Sequence, residues 1–462
     1  MQILFDVGGI FLTTFLVSLF TPIFWIVLFL ILMQYRRVAA MEVKLYGRPL
    51  NKVSRQMLIS IGLGLPGGLL AGAILLLLGL SLEQIGLYFV WPVALLLLLI
   101  NPRYLCFSYA GGIVAVAVLA FRHLILPPAP GLAAYSVIES LLQIHIPALL
   151  VLIGLLHLVE AVLIYFGGHL GSSPLYLKRE NGVVVGAFSL QRFWPLPLVA
   201  LMVAVVAQSE IVGVNMPQWW PVLKSTLQPG EGQNLQYMLI PVAAGLGYAD
   251  LALTSTPRER SAFSAKWLAL YSAILLAVAI AAEYWPLLVV PGVFFAPLGH
   301  ELLILYGNMR EEKAAPRYGQ EAEGVQLMLV IPDSAAAEAG LLTDDLICRV
   351  NGDPVSSSTE LLKAIEESYF LVLLEGKRGS DQFSYVLKKR LAETERADIP
   401  FTPGEQESFV HNPLHRSAAL GMIPVPAADS HVYAEIRKPD PLGRMKELSN
   451  RLKAFFLKFL KN

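Results

Sequence analysis

Five ionisable side chains stand within apolar stretches of this 462-residue chain: His157, Glu160, Asp250, His300 and Glu301. Charge at membrane depth is costly, and where it is kept it commonly serves ion or proton chemistry. His157 and Glu160 are three apart and share one face of a helix. His300-Glu301 opens a string close to H-E-x-x-H, in which two imidazoles on one helix face hold zinc and the Glu acts as general base. Here the string runs His300-Glu301-Leu302-Leu303-Ile304, and Ile304 offers no ligand. His157 could replace the missing imidazole, with Glu160 or Asp250 as third ligand. The plainer reading pairs these groups with one another at helix interfaces, and it outweighs the metal: no catalytic residue, no metal and no cofactor is expected. Cys106 lies in an apolar run and Cys348 in an expected strand. Neither has a near partner in sequence, so both read as reduced thiols. No P-loop, nucleophile elbow or dinucleotide fingerprint is present.

The elements that must position these groups are apolar. Hydrophobic residues make up 55% of the chain and charged residues only 15%, against about 25% charged in soluble domains; mean hydropathy is +0.59. The formal net charge is zero, which argues against a nucleic-acid partner. Crossing the hydrocarbon as a helix takes about 20 apolar residues. Runs near 9–34, 58–82, 86–100, 104–124, 146–167, 195–208, 237–254, 266–283 and 286–306 suggest about nine spans within residues 1–307, with seven to nine allowed because the third and sixth are short. The N-terminal stretch lacks a basic leader and a cleavage site, so its apolar run reads as a retained span.

With the N-terminus outside, inside loops carry Arg36, Arg37, Lys44, Arg48, Lys52, Arg55, Arg103, Lys178, Arg179, Arg192, Arg258, Arg260 and Lys266, and outside loops only Lys224. The positive-inside rule then places the C-terminal part in the cytoplasm. Outside, residues 127–145 open on Pro127-Pro128-Ala129-Pro130, and the Trp219-Trp220 cluster in 209–236 suits the headgroup level. Gly64, Gly68 and Gly72, four apart, form a flat strip for close helix approach, either inside the bundle or in a homo-oligomer.

Beyond a charged linker at 308–323 the pattern changes. Gly324 to Ile331 reads as a strand, Pro332-Asp333-Ser334 as a turn capping a short helix, Leu346 to Val350 as a strand closed by Asn351-Gly352, Thr359 to Glu367 as a capped amphipathic helix, and 370–374 and 383–387 as strands. The string PDSAAAEAGLLTDDLICRVNGDPV, with Pro332, Ser334, Ala336, Ala339, Gly340, Leu341, Asp345, Ile347, Val350, Asn351, Gly352, Pro354 and Val355 as matches, resembles the PDZ domains of HtrA-type and site-2-type proteases. Asp333 and Asp344 stand where that family usually has Gly, at turns where Asp tolerates a left-handed backbone. The resemblance implies a PDZ domain at 324–390. Its peptide groove would use Gly324, Val325, Gln326, Leu327, Met328, Leu329, Thr359 and Leu362 and accept a strand, without an evident carboxylate loop ahead of Gly324.

Residues 391–440 read as a linker, with Leu420-Gly421-Met422-Ile423-Pro424-Val425-Pro426 able to pack. Residues 441–462 form a basic amphipathic pattern in which Arg444, Lys446, Arg451, Lys453, Lys458 and Lys461 oppose an apolar stripe, suited to an anionic lipid surface. The fold class expected is therefore a polytopic α-helical membrane bundle followed by a small α+β PDZ-type domain and an amphipathic C-terminal helix. That layout, with Pro297-Leu298-Gly299-His300-Glu301 ahead of the PDZ region, resembles the MinJ family of division-site topology proteins. The resemblance implies a non-enzymatic membrane scaffold at septum and poles that bridges DivIVA-like and MinD-like partners, the latter with MinC. Two alternatives stay open: an intramembrane site-2-type metalloprotease or a degenerate relative of one, and a transporter with a regulatory PDZ domain.

Overall fold

Thr21-Pro22 punctuates the first apolar run. Pro22 occupies the first turn of a helix, where its missing N–H costs nothing, and the Thr21 hydroxyl accepts from the Phe24 amide at 3.4 Å. The run expected as one span at 9–34 is therefore two helices, α1 (Gln2–Ser18) and α2 (Pro22–Tyr46). There follow α3 (Val53–Leu78), α4 (Leu87–Ile100), α5 (Phe107–His123), α6 (Ala133–Leu142) and α7 (Ile146–Gly167). Further on come α8 (Pro257–Tyr284), opened by a Thr256/Glu259 capping box, and α9 (Val289–Lys313). The computed structural model describes residues 2–104, 106–123, 133–210, 213–321, 323–389, 413–428, 430–431 and 433–435. Among these, five helical segments are long and apolar enough to cross a membrane: Pro22–Tyr46, Val53–Leu78, Ile146–Gly167, Pro257–Tyr284 and Pro286–Lys313.

Two runs expected as helical spans, 195–208 and 237–254, are strands. β1 (Ser173–Lys178) leads into β2 (Val184–Ala207), which pairs antiparallel with β3 (Gln233–Ala252) from Phe188↔Ala252 to Ala207↔Gln233. The physical reason is in the residues. Pro195 and Pro197 would each delete a helical hydrogen bond and clash with the preceding turn, and Val199, Val203, Val205 and Val206 favour an extended backbone.

The hairpin lies along α3. A Cβ at Gly64 or Gly68 would collide with the carbonyl oxygen of Pro195 or Pro197, and one at Gly72 would come within 3.1 Å of the Val199 amide nitrogen. The glycine strip is thus filled by the chain's own strand, so of the two readings the structure has the contact inside the chain. Alternation along an antiparallel pair turns residues 195, 197 and 199 toward α3 and their partners 245, 243 and 241 toward the opposite edge. Prolines at 195, 197 and 241 leave no N–H to satisfy at three of those six outward positions.

The second sheet runs β8-β7-β5-β4-β9. Its elements are β4 (Val325–Val330), α10 (Ala335–Glu338), β5 (Leu346–Val350), β6 (Asp353–Pro354) paired to β5, α11 (Ser358–Glu367), β7 (Leu371–Arg378) and β8 (Asp381–Lys388). A distant segment, α12 (Pro413–Leu420) and β9 (Met422–Pro424), completes it. The expected turns are present: Ser334 and Ser357 cap α10 and α11, and Asp333, Asp344 and Asn351 take φ of 59°, 72° and 52°. Asp345, fully buried, accepts from Arg378 at 2.7 and 2.8 Å and from the Leu342 amide.

The two sheets meet in a shared core, beside a second core of the second sheet's own. Tyr318 is buried between them, edge-on to Phe188, and its carbonyl accepts from Gly186 at 2.9 Å. Burial, with the Asp344 charge nearby, pushes its hydroxyl up to about 12, so it stays neutral. Arg317 donates its amide to the Leu253 carbonyl, so both ends of the long hairpin meet residues 317–318. Tyr176 of β1 donates to the Pro424 carbonyl at 2.7 Å. Finally β10 (Ala434–Glu435) pairs with β1 in parallel. The stretch read as a linker at 308–323 therefore opens with the last turn and a half of α9 and contributes Tyr318 to the core.

Two substitutions test this packing. Gly68→Ala and Gly62→Ala gain the same helix propensity, but only the first collides with a strand, since Gly62 faces open space. Gly68→Ala is expected to be less stable than Gly62→Ala by about 1–3 kcal/mol in thermal unfolding of the detergent-solubilised protein; equal midpoints would refute the close approach. Gly421, at φ 88° with Ser334 against it, seats β9. Gly421→Ala is expected to speed amide exchange at Ile331 and Val425, whose amides bond across β4 and β9, by about tenfold or more, read by exchange mass spectrometry.

Candidate functional site

The groove expected on the 326–331 strand has no free edge there. β4 is flanked by β5 on one side and by β9 on the other, with Leu327 opposite Pro424 and Leu329 opposite Ile423. The chain itself adds the strand that an incoming peptide was expected to add, and the Leu420–Pro426 stretch supplies it. Leu327 and Met328 turn their side chains into the two cores, Leu329 is half-buried, Thr359 is exposed and Leu362 half-buried on α11.

What remains open is a cleft of about 360 Å³ at the end of this sheet. Gly319, Gln320 and Glu321 form one wall, Gly324, Val325 and Gln326 the floor, Ser356, Ser357 and Ser358 at the start of α11 the second wall, and Val425 to Ala428 the third. Three of the expected groove residues line it; Leu327, Met328, Leu329, Thr359 and Leu362 do not. Glu360 accepts from the Ser356 amide and hydroxyl at 2.9 and 2.8 Å, which holds its carboxyl below the usual range and fixes the rim. The Gln326 side-chain oxygen is buried without a partner among the described residues.

Four of the five expected ionisable groups fall into three sets. Asp250 is committed to Arg260 through bonds of 2.8 and 3.0 Å and also accepts from Ser264. Arg260, 4% exposed, reaches Glu311 at 3.4 Å, whose other oxygen accepts the Leu253 and Thr254 amides. This network ties β3, α8 and α9 at their junction with the second sheet. Glu301 is held by Arg103 and by Tyr109, whose hydroxyl donates at 2.5 Å. Both its oxygens are engaged, and Ile304 leaves the second histidine position of the motif empty.

The third set joins residues that spacing had kept apart. Cys106, just before α5, places its sulfur 3.1 Å from His157 Nε2 on α7 and 4.0 Å from His300 Nε2 on α9. The three donor atoms lie within 4.8 Å of one another. His157 and His300 do meet, but the third member is Cys106, while Glu160 and Asp250 stay outside the group. Cysteine 106 was missed because its partners come from two other helices; the local signal was a thiol in an apolar run. Arg192, counted among loop residues, is instead fully buried in β2 against Gln56. The basic face Arg444, Lys446, Arg451, Lys453, Lys458 and Lys461 lies outside the described residues.

No family model matches the chain. It is 25% identical over 239 residues to MinJ, the cell division topological determinant of Bacillus subtilis (strain 168), covering 51% of this chain and 57% of that protein. It is 27% identical over 292 residues to the probable MinJ of Lacticaseibacillus paracasei, covering 61% of this chain and 72% of that one. A shorter match, 34% over 79 residues, links 17% of the chain to 16% of the mouse serine protease HTRA4. The protease match is of a length to fit the second sheet, whereas the two longer matches extend well beyond it, so the similarity to MinJ covers more of the chain than that sheet.

Proposed function

We propose that the chain is a membrane-anchored adaptor in division-site placement, whose second sheet is a PDZ-type module recruiting cytoplasmic partners. The observation that carries this reading is the length of the MinJ matches, 239 and 292 residues, too long for the sheet domain alone. The membrane part is therefore included in the similarity, and a role particular to that family is favoured over a generic peptide-binding module. The basic residues at 36–55, at Arg103, at 178–179 and at 258–266 support a cytoplasmic side for the sheet domain. The long hairpin returns to its starting point, so two strands in place of two expected helices leave that side unchanged. DivIVA-like and MinD-like proteins are the proposed partners, and the basic tail adds an anionic-lipid contact. The protease reading finds no support at Glu301, whose oxygens Arg103 and Tyr109 occupy.

Because the edge of β4 is taken, the ligand enters the cleft bounded by residues 319–321, 356–358 and 425–428. A partner segment there meets backbone donors and acceptors rather than a bare strand. The first test is localisation. A fluorescent fusion in a rod-shaped Gram-positive host lacking its own MinJ is expected at septa and poles, with fewer misplaced septa; an even membrane signal with no rescue would sink the proposal. The second is capture by the full-length protein in detergent. Ala428, exposed on the cleft wall, replaced by Trp should reduce recovery of DivIVA-like or MinD-like protein about tenfold while membrane insertion stays normal. Undiminished recovery would move the binding site elsewhere.

A further inference from the structure

We propose that Cys106, His157 and His300 bind a thiophilic transition-metal ion, Zn²⁺ being the class that one thiolate and two imidazoles suit. The argument rests on where the ring protons must be. His157 Nδ1 lies 2.7 Å from the Ile153 carbonyl oxygen, and a carbonyl only accepts, so Nδ1 carries the hydrogen and Nε2 a lone pair. Tyr109 donates its hydroxyl hydrogen to Glu301 at 2.5 Å, so its oxygen is free to accept from His300 Nδ1 at 3.4 Å. Nε2 of His300 is then also a lone pair. Both imidazoles aim acceptors at one sulfur. A thiol has one hydrogen for two such acceptors; a cation satisfies both and the thiolate together.

The spacing suits an ion. Tetrahedral zinc, with bonds of about 2.3 Å to sulfur and about 2.0 Å to nitrogen, sets S···N edges of about 3.6 Å. The observed 3.1 and 4.0 Å bracket that value. The surroundings are those of a held ligand set. Each imidazole is oriented by a partner on its far nitrogen, and one of these continues through Tyr109 to a carboxylate. The rings pack edge-on, His157 to His300 at 5.0 Å and both to Tyr271 at 5.7 Å. Tyr271 is itself fixed by bonds to Ser108 at 2.9 Å and to the Ala296 carbonyl at 2.7 Å. The Ser108 amide donates to the sulfur at 3.4 Å, and His157 is 3% exposed. Three ligands, one just before α5 and two from α7 and α9, leave a fourth position for water or another donor. Bound there, the ion fastens the start of α5 to both partner helices.

The test uses the full-length protein, free of any polyhistidine tag, in detergent after chelator treatment. Titration with Co²⁺ is expected to give one equivalent with tetrahedral d–d bands and a thiolate charge-transfer band, displaced by Zn²⁺. Cys106→Ser should lose the charge-transfer band. Cys348→Ser should keep it, because that thiol lies in β5, where burial pushes its pKa up. Tyr109→Phe, which removes the partner of His300, should weaken binding about tenfold. X-ray absorption on the zinc-loaded native protein needs no variant: one sulfur and two imidazole nitrogens in the first shell are expected. No stoichiometric binding, a first shell without sulfur, or a charge-transfer band that survives in Cys106→Ser would each overturn the site.

Discussion

Backbone groups at the depth of apolar helices must find partners within the protein, because lipid offers none. A two-stranded hairpin satisfies only its inner edge, and everything around β2 and β3 answers to that deficit. On one side α3 presents Gly64, Gly68 and Gly72, so that helix and strand backbones meet without intervening side chains. At three of the outward positions, Pro195, Pro197 and Pro241, there is no N–H to leave unpaired. The carbonyls of Pro195 and Pro197 face the glycine Cα hydrogens of α3, a weak but repeated contact. A motif known mainly from helix pairs here serves a strand, for the same reason: the absence of Cβ allows backbone to approach backbone.

The same hairpin organises the rest. Its two ends close on residues 317–318, next to the Asp250–Arg260–Glu311 network, and that junction is where the second sheet docks. The sheet domain is not a module on a tether. Tyr318, Met328, Ile423 and Val425 belong to the core that also contains Phe188, Tyr176 and Val184. The cleft beside Gly319 is thus structurally continuous with the helices, through the segment that leaves α9. The histidine pair and its thiol join α9 to α7 and the start of α5, so one helix carries both the proposed metal ligand His300 and, from its C-terminal end, the lead-in to the cleft.

Much of the second sheet was legible. Asp333, Asp344 and Asn351 announce turns because only a few residue types accept a positive φ, and each adopts one. The caps Ser334 and Ser357 fall where the pattern put them. The membrane character was equally plain, since hydropathy sums over many residues. What hydropathy lacks is period: a continuous apolar run suits a helix or a buried strand alike, and 195–208 and 237–254 were read as the wrong one of the two although Pro195-x-Pro197 argued against a helix. Long-range pairing was the other loss. Met422–Pro424 is too short to declare itself a strand, and the meeting of Cys106 with His157 and His300 depends on three helices whose packing no local pattern encodes.

The strand at 422–424 has a consequence for how the protein is made. Synthesis runs from the N-terminus, and domains generally fold as they emerge. Here β4 leaves the ribosome nearly a hundred residues before the strand that completes its edge, and the loop between them closes at an entropic cost that delays pairing. Until then β4 exposes a hydrogen-bonding edge beside the membrane. The cleft walled by Val425 to Ala428 cannot exist earlier either. A nascent chain therefore inserts its helices first and completes this cleft only late in synthesis, so an incomplete molecule occupies the membrane without the cleft.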